Sequence, residues 1–242
     1  MHNKKILIAL PAESIDSGVF NIILNCLRGD NIHILLNVYQ TTEHSDSTLV
    51  KLDKLSKLCL NREITLRIQI LRASALARLS HRSIFADLII IQRDLLKNAD
   101  FVSMYGKVTS PMLLLPTGFE SINHVVLTAD GTPETIRIIK QFTQLFARQI
   151  ANTNATLVLV MDEVFDTRDE ILFVDYLKGF FKKLGVLKIL KPLTDRDLKP
   201  VKYDAHTLFV STCSLLTSCY ETGFMSPAAI DKKSLIFLAS QV

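Results

Sequence analysis

The amino-acid sequence predicts an α/β protein of two tandem units, each a five-stranded parallel sheet with helices between its strands. Three observations predict it. Short apolar runs without alternation punctuate the chain, as expected of strands covered on both faces. Between them lie stretches with apolar residues at helical spacing. The whole order of segments then recurs about 119 residues later. A length of 242 residues suits two domains near the usual size, and the expected division is 1–118 and 119–242.

The first unit opens on the apolar run 5–10, followed by a helical stretch with Val19, Ile22, Ile23, Cys26 and Leu27 in phase. Gly29-Asp30-Asn31 should stop that helix. A strand is expected over 32–39, then a helix over 47–61 with Leu49, Leu52, Leu55, Leu58 and Cys59 on one face. Strand 64–70 follows, rich in residues that favour a pleated surface. A short helix at 73–82, strand 87–92, a less regular segment and strand 111–116 complete the unit.

The second unit starts with strand 123–129. Thr132 is a good helix N-cap and Pro133 suits the first helical position. The stripe Ile136, Ile139, Phe142, Leu145, Phe146 and Ile150 predicts a strong helix. Strand 155–161 leads to a helix over 168–184, with Ile171, Val174, Leu177, Phe181 and Leu184 inward and Gly185 as its stop. Strands 186–190, 206–211 and 234–239 finish the set. Leu10 aligns with Ala129 and Leu88 with Thr207, both 119 residues on, and Met112 with Leu235, 123 residues on. Strands alternating with helices imply parallel sheets. One continuous doubly wound sheet is the alternative, which these offsets disfavour.

Composition narrows the function classes. Hydrophobic residues make up 48% of the chain, enough for a core. A net charge of +4 with dispersed basic residues gives no nucleic-acid footprint. Lys51, Lys54 and Lys57 recur every three residues and read as one solvated helix face. No apolar run is long enough to span a membrane, and the one near the N-terminus ends too soon, at Pro11-Ala12-Glu13, for a secretory core. Cys26, Cys59, Cys213 and Cys219 lack metal spacing and are expected to be reduced core thiols of a cytoplasmic protein.

Val125-Val126-Leu127-Thr128-Ala129-Asp130-Gly131-Thr132, Ala86-Asp87-Leu88-Ile89-Ile90 and Ser110-Pro111-Met112-Leu113-Leu114-Leu115 stand in order along the two units. Together they resemble the universal stress proteins in their tandem form. That family opens each unit with a strand ending in Asp-Gly-Ser/Thr, reads Ala-Asp-Leu-Ile-Val at its fourth strand and begins its fifth at a proline. The resemblance implies units that pair through their fifth strands, so 111–116 and 234–239 would meet and make the monomer a pseudo-dimer. Such a pairing would hide two sheet edges.

The departures from the family are informative too. Nucleotide-binding members carry Gly-x2-Gly-x9-Gly-Ser/Thr after strand four, because glycine lets backbone N–H groups approach phosphate closely. Here that segment reads Gln92-Arg93-Asp94-Leu95-Leu96-Lys97-Asn98-Ala99-Asp100 in the first unit, and Asp94 and Asp100 would repel phosphate. In the second it runs from Thr212-Cys213-Ser214 to Tyr220-Glu221, with Gly223 only beyond. Pro11-Ala12-Glu13 replaces the family's acid and glycine in the first unit. Neither unit is therefore expected to hold ATP in the family's way; no resident cofactor is expected, and an ATP- or AMP-like nucleotide is disfavoured.

Open parallel sheets bind ligands at the carboxyl ends of their strands. In the second unit this edge would gather Asp130, Gly131, Thr132, Val160, Ser211 and Thr212. By resemblance, Asp130 and the backbone of Val160 match positions that contact base and ribose in nucleotide-binding relatives, while Ser211 and Thr212 offer hydroxyls for an anion. The plainer reading, a strand-to-helix turn and buried caps, is favoured. His33, His81, His124 and His206 form no ligand pattern, and no nucleophile elbow or Walker loop is present. Cys213 and Cys219 are too ill-placed on a helix for an expected redox pair. Asp162, Glu163, Asp166, Asp169 and Glu170 suit a helix start better than a divalent-cation site. The expectation is a non-enzymatic stress-response or regulatory module working through an unknown protein partner, with further homodimerisation open and no nucleic-acid or membrane contact. A sensor of an adenosine-like or small anionic ligand in the second unit is the alternative, and an enzyme of a related α/β family comes last.

Overall fold

The computed structural model describes residues 4–15, 20, 31–40, 46–72, 78–96, 107–116, 121–161, 167–190, 206–212 and 235–238. The chain divides into two compact units, one within Met1–Glu120 and one within Ser121–Ala239. In the first, β1 (Lys4–Pro11), β2 (Ile32–Gln40), α1 (Asp46–Leu60), β3 (Thr65–Arg72), α2 (Leu79–Ser83), β4 (Leu88–Gln92) and β5 (Met112–Leu115) follow in order. In the second come β6 (His124–Ala129), α3 (Pro133–Ile150), β7 (Asn154–Met161), α4 (Thr167–Lys178), β8 (Lys183–Leu190), β9 (Thr207–Ser211) and β10 (Leu235–Leu238). The first sheet runs β3-β2-β1-β4-β5 and the second β10-β9-β6-β7-β8. Every strand pairing described within either unit is parallel.

The ladders make the repeat exact to one residue. A row across the first sheet reads Arg67, Leu35, Leu7, Ile89, Met112. The matching row in the second reads Leu184, Ala155, Val125, Leu208, Leu235. Leu88 thus corresponds to Thr207 and Met112 to Leu235, as the sequence offsets require. The opening strands differ from expectation, since Leu7 corresponds to Val125, 118 residues on. Leu10 therefore stands at the place of Thr128, and Ala12 at the place of Asp130.

The apolar runs behave as predicted: Ile6 through Leu10, Leu88 through Ile91 and Val125 through Leu127 are all buried. In α1, Leu52, Leu55 and Cys59 face inward, but Leu49 is half exposed. In α3 the buried stripe is Ile138, Ile139, Phe142, Phe146 and Ile150, with Thr135 and Thr143 beside it; Ile136 and Leu145 sit on its margins. Phe142, Phe146 and Phe237 form a ring cluster with centroids 5.2–5.9 Å apart.

The largest correction concerns α4, which ends before Gly179 rather than Gly185. The Gly179 N–H closes on the Tyr176 carbonyl, and Lys183 already pairs with Asn154 in the sheet. Gly185 is a strand residue opposite Thr156. Phe181 and Leu184 kept helical phase by coincidence, and Ile171 of the expected inward face is exposed. The predicted first helix lies outside the described residues except Phe20, as do residues 73–77 of the short third one.

Candidate functional site

The strand order changes direction between β1 and β4 in the first unit and between β6 and β9 in the second. Chains leave these neighbouring strands toward opposite faces, which opens a crevice at their carboxyl ends.

In the second unit the edge is built on a tight turn. Gly131 has φ 81°, a left-handed conformation that glycine adopts without strain. The turn brings three donors onto Asp130 Oδ1: the Thr132 N–H at 3.1 Å, the Thr132 hydroxyl at 2.7 Å and the Thr135 hydroxyl at 3.0 Å. Thr132 caps α3, its Oγ1 accepting from the Thr135 N–H, and Pro133 occupies the first helical position. Burial pushes the Asp130 carboxyl up, but the hydrogen bonds from Thr132 and Thr135 outweigh it and hold the carboxyl below its ordinary range.

The remaining candidates lie on the adjoining strands. Thr128 and Ala129 pair with Val158 and Leu159, so Val160 stands one step further along β7, beside Asp130. Its side chain is buried. Ser211 is buried at the end of β9, and its Oγ accepts from the Thr128 hydroxyl at 2.7 Å. Thr212 is buried next to it. The structure thus joins Asp130, Gly131 and Thr132 in one turn and ties Ser211 to the strand that feeds it. Thr128 and Thr135 were missed by sequence reasoning; Thr135 was visible as the third residue after the cap.

In the first unit the same level is filled differently. Ala12 and Glu13 occupy the places of Asp130 and Gly131, and Ala12–Ser14 forms a 3-10 turn. Gln92, buried at the end of β4 where β9 has Ser211, reaches across to Ser14. Its Nε2 donates to Ser14 Oγ at 2.9 Å and to Asp94 Oδ2 at 3.3 Å. Its buried Oε1 has no partner among the described residues. Asp94 sits on a second 3-10 turn, Arg93–Leu96, directly after the strand.

Other chemistry-bearing residues take structural places. Burial pushes the Cys59 thiol up to about 11, against the opposing charge of Arg62, so the thiolate is scarce at neutral pH. Cys26, Cys213, Cys219, Asp162, Glu163 and Asp166 lie outside the described residues. Glu170 pairs with Lys188 at 2.7 Å. His124 Nε2 meets Thr156 Oγ1 and His206 Nδ1 meets Ser121 Oγ, at the opposite end of the strands. Among the described residues, no group of three His, Cys, Asp or Glu could hold a metal ion. Among them, too, no helix is long and apolar enough to cross a membrane.

Two five-stranded parallel units of this order have the universal stress protein fold. Solved structures agree. A universal stress protein of Archaeoglobus fulgidus superposes with a TM-score of 0.55 at 11% identity, over 98% of each chain. A Pseudomonas aeruginosa protein assigned provisionally to the universal stress proteins gives 0.54 at 11%, over 98% of this chain and 92% of that one. The cytoplasmic domain of a prokaryotic cation chloride cotransporter gives 0.53 at 10%, over 98% and 96%. The sequence matches no family model and no curated protein.

Proposed function

We propose that this chain is a non-enzymatic regulatory module of the stress-response type, residing in the cytoplasm and acting through protein contacts rather than through conventional ATP binding. The observation that carries this reading is the first-unit crevice. There Gln92 bridges to Ser14, and a glycine-free 3-10 turn, Arg93–Leu96, follows where a glycine loop would cradle phosphate. The Gln92 Oε1 and Asp94 carboxylate are acceptors, which attract donors and repel phosphate oxygens.

A second reading has its own support. Asp130 is held ionised beside the backbone of Val160 at the mouth of a capped helix, an arrangement suited to a hydroxyl-rich, adenosine-like ligand. A thermal-shift titration with ATP, ADP and AMP separates the two, because a ligand of the folded state raises apparent stability. The regulatory reading expects no shift at millimolar nucleotide. A saturable shift lost in Asp130→Ala would replace it with the sensor reading.

A further inference from the structure

The amino ends of β1, β2 and β3, opposite the crevice, carry a second concavity. It has a volume of about 350 Å³ and lies between the sheet face and the end of α2. Its size falls at the low end of small-molecule sites, about 300–1,000 Å³. The floor is apolar: Leu7 and Leu35 are neighbours in the sheet, and Phe85, 73% exposed, forms the lip. Around this floor stand Lys5, His33, Arg67 and Arg82, and no carboxylate lines it.

The concavity is held open by the fold. Helix α2 is only five residues long, and the first row of this sheet face, Lys5, His33 and Thr65, is exposed beside it. Its end is fixed by the buried Ser110, whose hydroxyl donates to the carbonyls of Ser83 and Ala86. Asp87 exchanges two hydrogen bonds with Lys5: its N–H donates to the Lys5 carbonyl, and its Oδ2 accepts the Lys5 N–H. One guanidinium nitrogen of Arg82 donates to Asn37 Oδ1 and Gln69 Oε1, which aims the group along the sheet. Among the described residues, no carboxylate pairs with Arg82 or Arg67.

The charge is not a generic feature of the fold. In the second unit, the row Leu7, Leu35, Arg67 becomes Val125, Ala155, Leu184, so the place of Arg67 is apolar there. A preformed apolar floor beside Arg67 and Arg82, which pair with no carboxylate among the described residues, fits a ligand with an apolar body and one anionic head. We propose that this groove in the first unit binds a small amphiphilic carboxylate of the medium-chain fatty-acid type. The apolar chain lies on Leu7, Leu35 and Phe85, and the head meets Arg67 and Arg82.

The test is calorimetric titration of the full chain with decanoate below its micellar range, with decanol as the uncharged control. The expected result is saturable decanoate binding, at least tenfold tighter than decanol, weakened tenfold or more by Arg67→Glu and by Phe85→Ser. Both substituted side chains are exposed, so both variants should melt like the parent. Asp130→Ala should leave decanoate binding unchanged, which separates this site from any ligand in the second unit. Absence of saturable decanoate binding, equal affinity for decanol, or binding indifferent to Arg67→Glu would overturn the proposal.

Discussion

The two units carry the same ladder to the carboxyl edge of their sheets and diverge there within three residues. Asp130-Gly131-Thr132 in the second unit stands where the first has Ala12-Glu13-Ser14. Glycine at φ 81° lets the second unit turn sharply, fold its carboxylate onto two threonines and launch an 18-residue capped helix. Without that glycine the first unit makes a 3-10 turn and closes its crevice by Gln92 and Ser14. The comparison teaches that the fold tolerates opposite chemistry at its switch point, because the buried rows below supply the stability.

Those rows give the largest expected effect. Phe142→Ala removes the centre of the Phe142–Phe146–Phe237 cluster and should destabilise the second unit by about 3–5 kcal/mol. Chemical denaturation should then show the second unit's signals lost first; a single unchanged transition would break the idea that each unit owns its core. The turn comes next. Gly131→Ala places a Cβ at positive φ and should cost about 1–2 kcal/mol, whereas Glu13→Ala at the equivalent place should be near neutral. Equal effects at both sites would erase the difference between the two turns.

A smaller effect comes from the cap, since Thr132→Ala should cost about 1 kcal/mol by thermal melting. The Asp130 carboxyl titrates below its ordinary value in the folded protein, so its contribution is present above that value and is lost as pH falls through the folded one. Asp130→Asn should accordingly be less stable than the parent at pH 7, with the gap closing under strongly acidic conditions. A gap that stayed constant from pH 7 downward would show that the hydrogen bonds do not favour the ionised form. The smallest effect is at the surface, where Lys57→Ala breaks an exposed pair with Asp53 and should change stability by less than about 0.5 kcal/mol.

The strand positions were legible in sequence because fully buried parallel strands leave unbroken apolar runs, as in Leu88 through Ile91. The α3 stripe was legible in Ile139, Phe142, Phe146 and Ile150, but Ile138 rather than Ile136 is buried, the two lying on opposite sides of the helix. The end of α4 was misplaced because Phe181 and Leu184 continue the helical spacing past Gly179, and only the pairing of Lys183 with Asn154 makes that stretch a strand. The Asp130–Thr132 turn was readable from local residues. The Gln92–Ser14 bridge was not, since it spans 78 positions and exists only because β1 and β4 are neighbours. The groove beneath α2 was hidden for the same reason: Lys5, His33, Arg67 and Arg82 come from four separate elements.

The central claim is that switch-point chemistry, and the first-unit crevice above all, does not serve ATP. Equilibrium dialysis of the full chain against labelled ATP with Mg²⁺ tests it most directly. The account predicts no saturable binding up to millimolar ATP, in the parent and in Asp130→Ala alike. One ATP bound per chain, and lost when Gln92 or Asp130 is replaced by alanine, would contradict it.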